Sequence, residues 1–270
     1  MSDWLEHTVL PAAISAAVLL LVLWPTTNSG RRLLRTWGVE DPRPDQVATA
    51  VRYLWQRRIL YFVLFLAVPS LSRSVIGSDA PDVGFFVPLL VAMLIAELLA
   101  TLRPVSGVRV ASLAPRGWRD LVPRWAVWVM AVMVVLAAGL AVLGLTRERD
   151  LPTTGLTSAF ALGYLVVCLV MVGLLVHLAV RRPAVADEEV DAALRTRSAR
   201  VAVGIGFGWV GTAANIAGQR INALEFEGRT PEEPSPLVDA AQVAGWAALG
   251  VSIVCWLWVA VPSRRSLVRR

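Results

Sequence analysis

The sequence predicts an all-α integral membrane protein with seven transmembrane helices, and three observations carry that prediction. Hydrophobic residues make up 56% of the chain, and the mean hydropathy of +0.62 lies well above that of globular domains. Seven apolar runs reach the roughly 17–25 residues that a bilayer requires. The 26 basic residues are all arginine, and they alternate in density from one inter-span segment to the next.

The runs fall at 8–24, 59–76, 84–102, 125–145, 158–180, 201–219 and 239–261. The first follows the acidic segment MSDWLEH. A secretory leader needs a positive flank there, so an uncleaved span is expected. The sixth, VAVGIGFGWVGTAANIAGQ, is rich in glycine and the weakest of the set. Charge supports it. Segments 25–58, 103–124 and 181–200 and the tail 262–270 hold 7, 5, 5 and 4 arginines, which leaves five for the rest of the chain. Arginine-rich segments stay in the cytoplasm, so the pattern predicts an N-out, C-in topology and needs an odd number of spans. Trp24, Trp125, Trp128, Trp256 and Trp258 then gather at the inner boundary, as an interfacial belt does. The whole of 1–270 reads as a single polytopic domain with arginine-rich cytoplasmic loops. Arginine in place of lysine throughout indicates a GC-rich bacterial genome, hence a bacterial plasma membrane.

Two cytoplasmic arms stand out. In PDQVATAVRYLWQRR, Val47, Ala50, Val51, Leu54 and Trp55 follow one helical face. This amphipathic helix is expected to run into the second span. The stretch DEEVDAALRTRSARV aligns beneath it, with Val190 under Val47, Ala193 under Ala50, Leu194 under Val51, Arg195 under Arg52 and Arg200 under Arg57. This predicts a 3+1+3 parallel repeat, an arrangement known among transporters; chance in so biased a composition is the other source of such matches.

Asp187, Glu188 and Glu189 open the second arm and arginines close it, the order that a helix dipole favours. The alternative is a metal site. Asp41, Asp45, Asp187 and Asp191 form two D-x-x-x-D pairs on the same side, which can hold Mg²⁺ against a diphosphate-type substrate. Helix starts explain them more simply, so no metal and no other cofactor is expected.

Ionisable residues inside a span are costly and mark function. Glu97 and His177 lie at similar depth near the inner ends of their spans, and a carboxylate–imidazole pair is the sharpest site the sequence offers. Thr212, Asn215 and Gln219 follow the glycine stripe of the sixth span, lining a cavity or packing between helices. Cys168 and Cys255 lie in apolar runs without metal-ligand spacing. No P-loop, HExxH or GxSxG occurs, which removes a nucleotide hydrolase or hydrolytic enzyme of those types. The expected partners are anionic headgroups at the cytoplasmic arginines and other membrane or cytoplasmic proteins, with no nucleic acid. The leading reading is a transporter without its own ATPase, or a membrane-embedded subunit of a transport assembly. A membrane enzyme on the aspartates and a non-catalytic scaffold or sensor are the alternatives.

Overall fold

A computed structural model of the protein describes residues 24–76, 86–102, 117–148, 157–181, 187–226 and 235–260. Every element in these residues is a helix: α1 (Thr27–Thr36), α2 (Pro44–Ile76), α3 (Phe86–Leu102), α4 (Trp118–Leu121), α5 (Arg124–Glu148), α6 (Ser158–Arg181), α7 (Glu188–Phe226) and α8 (Pro236–Ala260).

Four of them, α5, α6, α7 and α8, are long and apolar enough to cross a membrane, and α3 is a shorter apolar helix. They match five of the expected runs to within a few residues, save that α7 extends well beyond 201–219 at both ends. The run 59–76 forms the second half of α2, so the amphipathic arm does continue into it without a break. The first run, 8–24, lies outside the described residues except for Trp24.

The helix ends follow from local sequence. Thr26 caps α1 through a reciprocal capping box with Ser29. At the other end, Val39 N–H donates to the Leu34 carbonyl at 3.0 Å. Gly38 makes that closure possible at φ 101°, a left-handed conformation that a Cβ would strain. Asp187 caps α7 by accepting from Val190 N–H at 3.2 Å.

α7 is the hub. Its apolar window is 78% buried, against 28% for α5 and α6 and 22% for α8, so the other three face outward around it. Its glycines set the spacing. A Cβ on Gly218 would stand 2.6 Å from the Ala241 carbonyl oxygen of α8, and one on Gly211 would stand 2.1 Å from Ser252 Oγ. Reciprocally, Gly245 of α8 lies against the Ala214–Asn215 backbone. The stripe therefore faces α8, where small residues let two backbones approach. Thr212 turns its hydroxyl back to the Gly208 carbonyl at 2.8 Å, while Asn215 and Gln219 are half-buried.

A second, smaller core joins the arms. Leu34, Trp37 and Val39 pack with Val47, Ala50, Tyr53 and Leu54 of α2 and with Val190, Ala193 and Leu194 of α7. Positions that align in sequence, Val47 with Val190 and Ala50 with Ala193, thus share one apolar cluster.

Candidate functional site

Beside that small core, three helices bring polar side chains together in a dry environment. α2 supplies Tyr53, Arg57 and Tyr61, α3 supplies Glu97, and α7 supplies Ser198. Arg57 and Tyr61 are four residues apart and so lie on one face of α2. The Arg57 Nε–H donates to both Glu97 oxygens, at 3.0 Å to Oε1 and 2.9 Å to Oε2. Tyr61 donates its hydroxyl to the same carboxylate. Arg57 Nη2 donates to Ser198 Oγ at 2.9 Å, and that hydroxyl also meets Tyr53 Oη at 3.0 Å and the Leu194 carbonyl at 2.9 Å. The ion pair is nearly inaccessible, with Arg57 3% and Glu97 1% exposed. The Arg57 guanidinium also stacks on the Tyr53 ring, 3.6 Å from its centroid, a cation–π contact strengthened by desolvation.

This places the expected residues differently from the sequence pairing. Glu97 is buried and bound, as a carboxylate inside an apolar bundle must be, but its partners are Arg57 and Tyr61. His177 is exposed on α6. It lines an apolar groove of about 530 Å³ between α5 and α6, together with Trp118, Met130 and Cys168. No hydrogen bond joins His177, which faces that groove, to Glu97, whose oxygens accept from Arg57 and Tyr61.

Three of the four aspartates likewise lie beside arginines of the chain itself. Asp187 Oδ2 accepts from Gln46 Nε2 at 2.6 Å and from Arg43 Nη2 at 2.8 Å. Burial pushes this carboxyl's pKa up, but the bonds from Gln46 and Val190 and the Arg43 charge outweigh it and hold the group below its ordinary value. Arg43 also lies 3.5 Å from Asp45. Asp191 is buried and receives Arg195 Nε at 2.5 Å. Asp41 is exposed. Among the described residues no three His, Cys, Asp or Glu side chains gather as a metal-ligand set.

A further buried pair was not expected from the sequence. Arg220 Nε donates to Glu148 Oε1 at 3.0 Å, and that oxygen also caps the start of α6 through the Ser158 N–H at 2.9 Å and hydroxyl at 3.0 Å. It ties α5, α6 and α7 together at the end of α7 remote from Ser198. Charge at the edge of an apolar run was its one sequence signal.

Comparison with known protein families, curated proteins and solved structures returned no match. The functional argument therefore rests on the chemistry of the site. An arginine bound to a carboxylate, a tyrosine and a serine can hold three helices in one arrangement, and it can release them together when water reaches the pair.

Proposed function

We propose that the chain is a multi-pass membrane protein of the carrier type, without an ATPase of its own, whose cytoplasmic gate is the Arg57–Glu97–Tyr61 cluster. The observation that carries this reading is the buried Arg57–Glu97 pair linking α2, α3 and α7. An ion pair in a dry core is no more stabilising than apolar side chains of the same volume, and often less. Its placement where α2, α3 and α7 meet is thus better explained by a second state, in which the charges separate and are hydrated. Intramembrane ionisable groups serve transport paths for the same reason. α2 and α7 both continue from the arm core into the membrane, so a shift of the arms pulls directly on the pair. In this reading the protein sits in a bacterial plasma membrane, N-terminus outside, with the arms and the arginine-rich segments in the cytoplasm.

The rival is a rigid scaffold, favoured by the backbone-close packing of α7 on α8 at Gly211, Gly218 and Gly245. Thiol accessibility separates the two. Ser198→Cys, placed in a background without Cys168 and Cys255, should react slowly with a membrane-impermeant thiol reagent in inverted vesicles. Glu97→Gln should accelerate that reaction several-fold by weakening the gate. Complete protection of a folded protein in both backgrounds would favour the scaffold and defeat the carrier reading.

A further inference from the structure

Next to the gate the charge balance is uneven. Glu97 is the carboxylate of the cluster, and Arg57 and Tyr61 take up both of its oxygens. Two more guanidinium groups stand close by. Arg197 of α7 lies over the Tyr53 ring, 5.1 Å from its centroid. Arg58 follows Arg57 on α2 and is half-buried. In each, the Nη1 atom is buried with no hydrogen-bond partner. Ser198 Oγ is already committed to Arg57 and Tyr53, and Asp191 to Arg195. A buried N–H without an acceptor costs free energy, more so on a charged group, and the Arg197 charge disfavours that of Arg58. Burial, and after it the Arg197 charge, pull the pKa of Arg58 down from its ordinary value.

We propose that Arg58 and Arg197 form a binding site for a phosphate-bearing anion at the seam between α2 and α7. A phosphate offers several acceptor oxygens and negative charge, and guanidinium forks bind it through short, charge-assisted hydrogen bonds. One phosphate accepting from both Nη1 atoms removes both unsatisfied donors and the repulsion. The same chemistry is found on an anionic lipid headgroup and on free phosphate. Trp55 lies three residues before Arg58 on α2 and is 44% exposed, which puts an interfacial aromatic on the same side of the helix, at the depth where headgroups lie. Binding does not require that the gate open, so this proposal and the carrier reading fail separately.

The test uses the full chain in nanodiscs, with the thermal midpoint followed by tryptophan fluorescence. Discs of phosphatidylcholine alone are compared with discs containing phosphatidylglycerol, and inorganic phosphate is titrated into the first kind. A bound anion should raise the midpoint by about 5 °C near saturation. Arg58→Gln and Arg197→Gln should each lower the apparent affinity by about tenfold, while Arg31→Gln, an exposed arginine of α1, should change nothing. A shift with phosphatidylglycerol alone assigns the site to a headgroup, and a saturable shift with inorganic phosphate assigns it to a soluble anion; both support the site. No shift with either probe overturns the proposal, as does a shift that survives both Gln variants. Should Arg197→Gln fail to fold, Arg58→Gln decides alone, since Arg58 makes no hydrogen bond within the described residues.

Discussion

Replacing Arg57 with leucine is the most informative perturbation of the cluster. Three donated hydrogen bonds disappear, two to Glu97 and one to Ser198. What remains is a carboxylate at 1% exposure with Tyr61 as its partner. Breaking a buried pair from one side costs about 3–5 kcal/mol, because the surviving charge is left uncompensated. For a chain of this size that corresponds to a fall in thermal midpoint on the order of 10 °C. Changing both partners removes the penalty along with the pair. Arg57→Leu/Glu97→Leu should therefore be more stable than Arg57→Leu alone, and close to the parent, since leucine matches the apolar surroundings. The assay is a double-mutant cycle of thermal unfolding in detergent, with Tyr53→Leu as a check on the ring contact. If the two single losses simply add in the double variant, to within about 0.5 kcal/mol, the side chains are not coupled. The gate as described would then not exist.

Other expectations concern the arms, the hub and the topology. Asp187→Asn should destabilise the arm contact by no more than about 1 kcal/mol, since asparagine keeps the cap and what is lost is the charge toward the exposed Arg43. Because the Asp187 carboxyl is held below its ordinary 3.8, its contribution is full above that value and vanishes as pH falls through the lower folded-state value. The difference between parent and variant in a denaturation series should thus be flat at neutral and mildly acidic pH and close only below the unfolded value; a difference that shrinks near neutrality would contradict the assignment. Asp191→Asn should cost more than Asp187→Asn, because it leaves Arg195 buried without its carboxylate. Equal losses in matched melts would argue against that pair. Gly218→Ala should destabilise by about 1–3 kcal/mol, since its methyl meets backbone at 2.6 Å, while Gly139→Ala, with nothing within 4 Å, should be neutral or stabilising; the pair is read by melting temperature. For the membrane orientation, engineered cysteines near Asp79, Pro152 and Glu232 should react from outside intact cells, and those near Ser106, Ala192 and Ser266 should not. External labelling at position 266 would end the seven-span, N-out reading.

Much of the helical layout was legible because apolar run length is a one-dimensional signal. The continuity of α2 was legible too, since the spacing of Val47, Ala50, Val51 and Leu54 runs in phase into the apolar run. That a helix starts at the acids 187–189 was legible, but that Asp187 caps it through its side chain was not. The partner of Glu97 was not legible. Arg57 falls two residues before the apolar run, so a boundary drawn by hydropathy assigns it to a solvated loop. Its burial depends on α2 passing α3 and α7 at one particular level, which no local pattern records. His177 shows the converse. Its depth resembles that of Glu97, but depth along a helix says nothing about which way the side chain faces. The Glu148–Arg220 pair joins residues 72 positions apart, and only the assembled bundle brings them into contact.

The hub position of α7 has a consequence for biogenesis. α7 is the least apolar of the four long helices yet the most enclosed, carrying Asn215 and Arg220 along with its glycines. Such a segment partitions poorly into lipid by itself, so its insertion depends on helices already delivered and on one still to come. α5 and α6 leave the ribosome earlier and can receive one side, including Arg220 through Glu148. The glycine side has no cover until α8 follows, and until then its backbone groove lies open to lipid or to a chaperone. The nascent chain therefore passes through a vulnerable interval between the synthesis of Phe226 and that of Ala260. A chain stopped in that interval should be a substrate for membrane quality control even though Arg57, Glu97 and Tyr61 have already been made.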